Sequence, residues 1–228
     1  MPEVSAVVPV YRNADTIEEL HARLTDSLRH CSASHQLVFV NDACPDGSGI
    51  VLDRMATADR TICVHHLARN QGQASAVVAG LAQADGEMVV VLDADLQDPP
   101  EAIPLLLAEL RRMGQGAVFA GRRGKYEAAG RCLTSRLFKQ LIAWTCGVPK
   151  DAGSFVALSR DVAARLLEMR ARRPYLLAMI GLSGCPMVSI PVERSQRPRG
   201  PSAYSAAMRL RLGLDGLATA LDFKWRHR

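Results

Sequence analysis

Apolar positions in the first half of the chain fall into short runs divided by segments of helical spacing. Val4–Val10 is continuous, apolar and β-branched, and reads as a strand buried on both faces. After Asn13-Ala14-Asp15, the residues Ile17, Leu20, Leu24 and Leu28 recur every three or four positions and predict a helix with one apolar stripe. Thr16 and Glu19 stand in the spacing of a capping box at its start. A second strand over 37–40 ends in Asn41-Asp42. The turn Pro45-Asp46-Gly47-Ser48-Gly49 follows, then a helix carrying Ile50, Leu52 and Met55. Strands over 62–67, 88–92 and 117–120 alternate with a small-residue helix over 74–84. A further helix opens at Pro99-Pro100, with Asp98 as its expected cap.

This strand-helix alternation predicts an α/β fold with a mainly parallel central sheet flanked by helices. In such sheets ligands gather beyond the carboxyl ends of the strands. Those ends read Pro9-Val10-Tyr11, Asn41-Asp42, Leu67-Ala68-Arg69-Asn70 and Asp93-Ala94-Asp95, so polar and charged groups converge on one rim. The second half is less regular. It suggests a helix over 131–146, a strand over 155–158, a helix capped by Ser159 and running to Met169, and a strand over 187–192. A breaker-rich loop over 196–202 and an amphipathic, basic helix over 205–221 complete it.

A length of 228 residues, 48% of them apolar, suits one domain with a real core. The six cysteines are scattered without metal-ligand spacing and read as reduced thiols. No apolar run approaches the roughly 18 residues of a membrane span, and the start lacks a secretory pattern, so a cytoplasmic location is expected. Charge divides the chain: residues 1–121 hold 8 Lys/Arg against 16 Asp/Glu, and residues 122–228 hold 20 against 7. A basic half suits phosphates, an anionic membrane surface or nucleic acid. Nucleic acid ranks last, because aromatics are 5% of the chain and do not interleave with the arginines.

The candidate chemistry lies at Asp93-Ala94-Asp95. Two residues apart at a strand end, in extended geometry, the two carboxylates leave on the same side. Such a pair can hold Mg²⁺ or Mn²⁺ against a diphosphate, since these ions take few carboxylates plus substrate oxygens. A bare D-x-D recurs by chance. Behind the apolar run 89–92 and ahead of Leu96-Gln97-Asp98-Pro99-Pro100, it is a longer signature.

That longer string resembles the signature of family 2 glycosyltransferases acting on polyprenyl phosphates. They form the dolichol-phosphate mannosyltransferase, bactoprenol glucosyltransferase and undecaprenyl-phosphate aminoarabinose transferase group. Val8-Pro9-Val10-Tyr11, Val40-Asn41-Asp42 with Asp46-Gly47-Ser48, Arg69-Asn70-Gln71-Gly72-Gln73 and Ala120-Gly121-Arg122-Arg123 resemble further family motifs in the same order. Arg197, Gly200, Ser202 and Tyr204 fall on a last one. The resemblance spans roughly residues 4–220 and implies a GT-A fold in one domain. Residues 1–121 would form its nucleotide-sugar-binding half, 122–204 its acceptor half, and 205–228 a basic amphipathic helix and tail. It also implies Pro9, Tyr11 and Asp42 around the nucleoside, and Asp93, Asp95 and Gln97 around metal and diphosphate, with Arg69 and Ala94 lining the donor site. Arg122, Arg123, Arg131 and Arg197 would face donor or lipid phosphates, where a guanidinium forks onto paired oxygens.

Departures bear on the acceptor. Ser154 stands where many relatives carry the acidic residue often assigned as base, and Ala203 replaces a lysine. The aminoarabinose-type branch also lacks that acid, and a phosphate acceptor is already ionised near neutral pH. Asp151 is a candidate for positioning the acceptor. The expected activity is inverting, metal-dependent transfer from a UDP- or GDP-sugar to a polyprenyl phosphate. The same donor chemistry with a saccharide or other lipid, and a donor-binding subunit without turnover, stay open. Helix 205–221 and the tail Lys224-Trp225-Arg226-His227-Arg228 would rest peripherally on the inner face of the membrane. Self-association into a homo-oligomer is compatible with the sequence.

Overall fold

The strand β1 (Val4–Val10) is buried along its whole length, as its unbroken apolar run requires. It leads to α1 (Ile17–Arg29), β2 (His35–Asn41), α2 (Ser48–Ala58), β3 (Ile62–His66), α3 (Gln73–Leu81) and β4 (Met88–Val91). A 3-10 turn at Pro100–Ala102 opens α4 (Ile103–Met113). Then come β5 (Ala117–Arg123), β6 (Val156–Ser159), α5 (Arg160–Glu168), α6 (Leu176–Leu182) and β7 (Met187–Glu193). This computed structural model describes residues 1–123, 145–169, 171 and 174–194. The helix expected over 131–146 falls there only at its last two residues. The loop over 196–202 and the helix over 205–221 lie outside the described residues.

Seven strands make one sheet in the order β3-β2-β1-β4-β6-β5-β7. β1 pairs in parallel with β2 and β4, β2 with β3, and β5 with β7. Only β6 runs the other way, between β4 and β5. The mainly parallel sheet expected from the alternation is therefore present. Alternate side chains of the sheet feed two cores. On one face Val4, Ala6, Val8 and Val10 pack with the apolar stripes of α1 and α4 and with Leu52 and Met55 of α2. On the other, Val7, Val38 and Val40 pack with α3, α5 and α6.

Close packing of α3 depends on Gly80. A Cβ there would meet Val7 Cγ1 well inside contact distance and Val40 Cγ2 at 3.0 Å, so no larger residue fits against the sheet. The seat of α3 in turn places Gln73, its first residue, at the rim. The short α6 went unrecognised in the sequence because Leu176-Leu177-Ala178-Met179-Ile180 is apolar all round, with no periodicity to separate helix from strand.

Three expected caps are not made. Thr16 occupies the N-cap of α1 without a side-chain cap bond; its hydroxyl donates instead to the carbonyls of Ala94 at 2.8 Å and Asn13 at 3.1 Å. Ser159 precedes α5 but accepts the Gly116 N–H at 3.2 Å. Asp98 caps nothing; Pro99 takes the cap position of the turn that follows, and Asp98 is committed elsewhere.

Candidate active site at the carboxyl rim of the sheet

The carboxyl ends of β1, β2 and β4 share an uncommon backbone feature. Arg12 and Ala43, each two residues past its strand, and Leu96, five past β4, have φ of 59°, 50° and 60°. Left-handed non-glycine residues cost energy and cluster where a fold holds functional loops in place. The Arg12 guanidinium lies 5.4 Å from the centre of the Tyr11 ring, and Pro9 is buried within β1.

Asp42, just past β2, is buried, and its carboxylate accepts two backbone N–H groups, from Gln71 at 2.7 Å and from Gly72 at 2.9 Å. The Asn70 side-chain amide also reaches the Asp42 carbonyl at 3.4 Å. Asp42 thus clasps the loop from β3 to α3, on which Arg69 is exposed. Beside it, Asn41 donates to His66 Nδ1 at 2.9 Å, and His66 Nε2 lies 2.9 Å from Asp53 Oδ1.

The Asp93–Asp95 segment departs from its expected geometry. β4 ends at Val91, and Ala94 and Asp95 lie in a turn, so the two carboxylates are not aligned by an extended strand. Their placement comes from neighbours. Asp93 Oδ1 accepts from Gln73 Nε2, and Oδ2 accepts from the Ser154 hydroxyl at 2.9 Å. Arg194 Nη2 lies 3.9 Å from Asp93 Oδ2. Asp95 Oδ1 accepts the Gln97 N–H at 3.1 Å, a local turn bond. Ala94 is buried, its carbonyl held by Thr16.

Arg194 closes the group from β7. Its Nε donates to Asp98 Oδ1 at 2.6 Å. Burial acts against its charge, but the Asp98 carboxylate first, then Asp93 and Asp95, overcome that and raise its pKa. One guanidinium therefore lies in the field of all three carboxylates.

Other expected residues stand further off or outside view. Arg122 lies near the end of β5 in register with Val192, on the same rim. Asp151 is exposed, its carboxylate packed against Gly121, where a Cβ would collide with it. Arg131 and Arg197 lie outside the described residues. Sequence reasoning quoted Gln73 only within the 69–73 motif, with no role, and missed Arg194. Both signals were available: a polar residue opening a helix of small apolar ones, and an arginine directly after a strand that ends at the rim.

The donor set fits a hard divalent ion shared with a ligand. Among the described residues no group of three His, Cys, Asp or Glu side chains is placed to hold a metal alone. Two carboxylates in a pre-bonded turn are what Mg²⁺ or Mn²⁺ uses when substrate oxygens complete its shell.

Comparison with known proteins agrees with this geometry. The family model for glycosyl transferase family 2 matches residues 5–167, more than two thirds of the chain. The chain is 30% identical over 220 residues to the glycosyltransferase YkcC of Bacillus subtilis, covering 95% of this chain and 68% of that protein. It is 32% identical over 206 residues to the undecaprenyl-phosphate 4-deoxy-4-formamido-L-arabinose transferase of Proteus mirabilis, covering 89% of this chain and 63% of the relative. Among solved structures, the Pyrobaculum calidifontis mannosyltransferase PcManGT in complex with GDP-Man and Mn²⁺ superposes with a TM-score of 0.64 at 20% identity. That match covers 97% of this chain and 64% of the other. Glucosyl-3-phosphoglycerate synthase from Mycobacterium tuberculosis gives a TM-score of 0.66 at 20% identity, covering 97% and 80%. The fold is that of the GT-A glycosyltransferases, and the chain belongs to glycosyl transferase family 2.

Proposed function

We propose that this glycosyltransferase carries out inverting, metal-dependent transfer of a sugar from a UDP- or GDP-sugar to a polyprenyl phosphate. The observation that carries the reading is the Asp93–Asp95 turn, in which Asp93 is bonded by Gln73 and Ser154 and flanked by Arg194. Asp93 and Asp95 would hold Mg²⁺ or Mn²⁺, with Gln97 beside them. The bound ion would draw off the charge that develops on the leaving nucleoside diphosphate. Pro9, Tyr11 and Asp42 would line the nucleoside; the Asp42 carboxylate acts through the loop of Arg69 to Gly72 that it clasps. Arg122, Arg131 and Arg197 would receive donor or acceptor phosphates.

Ser154 favours a phosphate acceptor over a sugar hydroxyl. Its hydroxyl donates to Asp93, and position 154 carries no carboxylate that could serve as a general base. A phosphate monoester is already ionised near pH 7 and needs no such base. A lipid-linked acceptor implies work at a membrane surface. Among the described residues no helix is long and apolar enough to cross a bilayer; membrane contact would be made through the basic helix expected over 205–221. The relative from Proteus mirabilis, whose name specifies undecaprenyl phosphate, supports this acceptor.

The test is a thermal-shift screen of UDP- and GDP-sugars with Mn²⁺, then transfer of labelled sugar to polyprenyl phosphate in detergent. Label in the organic phase is expected. Label found only on an added soluble phosphate ester would replace the acceptor, and no shift with any donor would remove the donor chemistry.

A further inference from the structure

The stretch from Asp93 to Asp98 places three carboxylates at one rim, and only two have a role in the reading above. Asp98 is buried, with a relative exposure of 2%. Its Oδ1 is taken by Arg194, while Oδ2 is buried with no hydrogen-bond partner among the described residues. An unsatisfied buried carboxylate oxygen is costly, and this one lies in the same loop as the carboxylates proposed to hold a divalent ion. Left alone, Asp98 would be a competing hard ligand for that ion.

We infer that Arg194, anchored by Asp98, is a positioning residue that keeps the Asp98 carboxylate away from the divalent ion, leaving the ion to Asp93, Asp95 and the donor's diphosphate. The inference rests on the metal site of the proposed function. Its geometry is asymmetric in the required way: Nε is committed to Asp98 at 2.6 Å, whereas Nη2 stays 3.9 Å from Asp93. Asp93 keeps Gln73 and Ser154 as its bonded partners. A guanidinium suits this better than an ammonium, because its planar fork pins one carboxylate while presenting charge to a second.

The test measures Mn²⁺ affinity by titration followed by electron paramagnetic resonance of free Mn²⁺, without donor, on the full chain. Arg194→Gln removes a nearby cation and releases Asp98, so Mn²⁺ should bind at least about fivefold tighter. With Mn²⁺ saturating, UDP or GDP should bind about tenfold more weakly, because Asp98 fills a position the diphosphate needs. Asp98→Asn leaves Arg194 unneutralised and should weaken Mn²⁺ binding several-fold. The double variant Asp98→Asn with Arg194→Gln, which carries no buried charge at either position, should return within about twofold of the parent. Arg194→Gln with an unchanged Mn²⁺ affinity, or a double variant that stays as tight as Arg194→Gln, overturns the inference while the metal site stands. If Arg194→Gln fails to fold, Asp98→Asn decides, and parental Mn²⁺ affinity in it overturns the inference. A parent that binds no Mn²⁺ removes both this inference and the reading it rests on.

Discussion

Replacing Asp42 tests whether the loop that carries Gln73 to Asp93 is set by one buried carboxylate. Asp42 accepts the N–H groups of Gln71 and Gly72 at 2.7 and 2.9 Å, both charge-assisted. A hydrogen bond to a charged group contributes about 1.5–3 kcal/mol net. Water can partly replace the carboxylate, because Gln71 is exposed, though Asp42 itself is buried. Asp42→Ala should therefore cost about 2–4 kcal/mol, a large share of the roughly 5–15 kcal/mol that holds a domain together. For a chain of this size that is a fall in Tm of about 5–15 °C. Asp42→Asn keeps one acceptor but turns an amide N–H toward a backbone N–H, and should lose about half as much. The assay is a thermal melt joined to amide hydrogen exchange, which should accelerate at Gln71 and Gly72 more than in β1. Asp42→Ala melting within about 1 °C of the parent, with unchanged exchange at those two amides, would refute the clasp.

Gly80→Ala gains about 1 kcal/mol of helix propensity but drives a methyl into Val7 and Val40. The net result should be a loss of about 1–2 kcal/mol, read by urea denaturation; a stabilised variant would contradict the packing argument. Ser154→Ala removes one hydrogen bond from Asp93 and should cut turnover by less than about tenfold, since Gln73 and Arg194 remain. A thousandfold loss in steady-state rate would instead give Ser154 a part in the reaction. Burial lowers the pKa of His35 below its ordinary 6.5, against the pull of Asp59 and with Arg29 and His21 adding to the lowering. Because the folded value is depressed, the stability tied to the neutral ring is complete above pH 6.5 and is lost as pH falls through the folded value. Tm measured from pH 7.5 to 5 should fall more steeply in the parent than in His35→Gln; parallel curves would sink the assignment.

The rim at the carboxyl ends of β1, β2 and β4 was legible because the apolar run of each strand is visible by itself. Val4–Val10 announces β1, and Pro9 and Tyr11 are located with it. The small-residue helix was visible too, though its first residue, Gln73, was not singled out. Short-range polar chemistry was read less well. Thr16 and Ser159 sit at cap positions and Asp98 one residue before one, yet each hydroxyl or carboxylate is used across the fold, on Ala94, Gly116 and Arg194. Capping patterns are local, whereas a buried polar group takes whichever partner tertiary packing brings. Arg194 and Asp98 are 96 residues apart and meet only because β7 and β4 end on the same rim. The D-x-D pair was found for a reason the fold changes: a turn held by Thr16, Gln73 and Ser154, not strand alternation, arranges it.

The role proposed for Asp93 and Asp95 is to hold a divalent ion against a sugar nucleotide. It is tested most directly by Mn²⁺-dependent release of UDP or GDP from the matching donor, compared in the parent and in Asp95→Ala after both are shown to melt alike. Release that requires Mn²⁺ or Mg²⁺ is expected in the parent, falling at least about a hundredfold in the variant. Release that persists in chelator, or that survives Asp95→Ala unchanged, would contradict it.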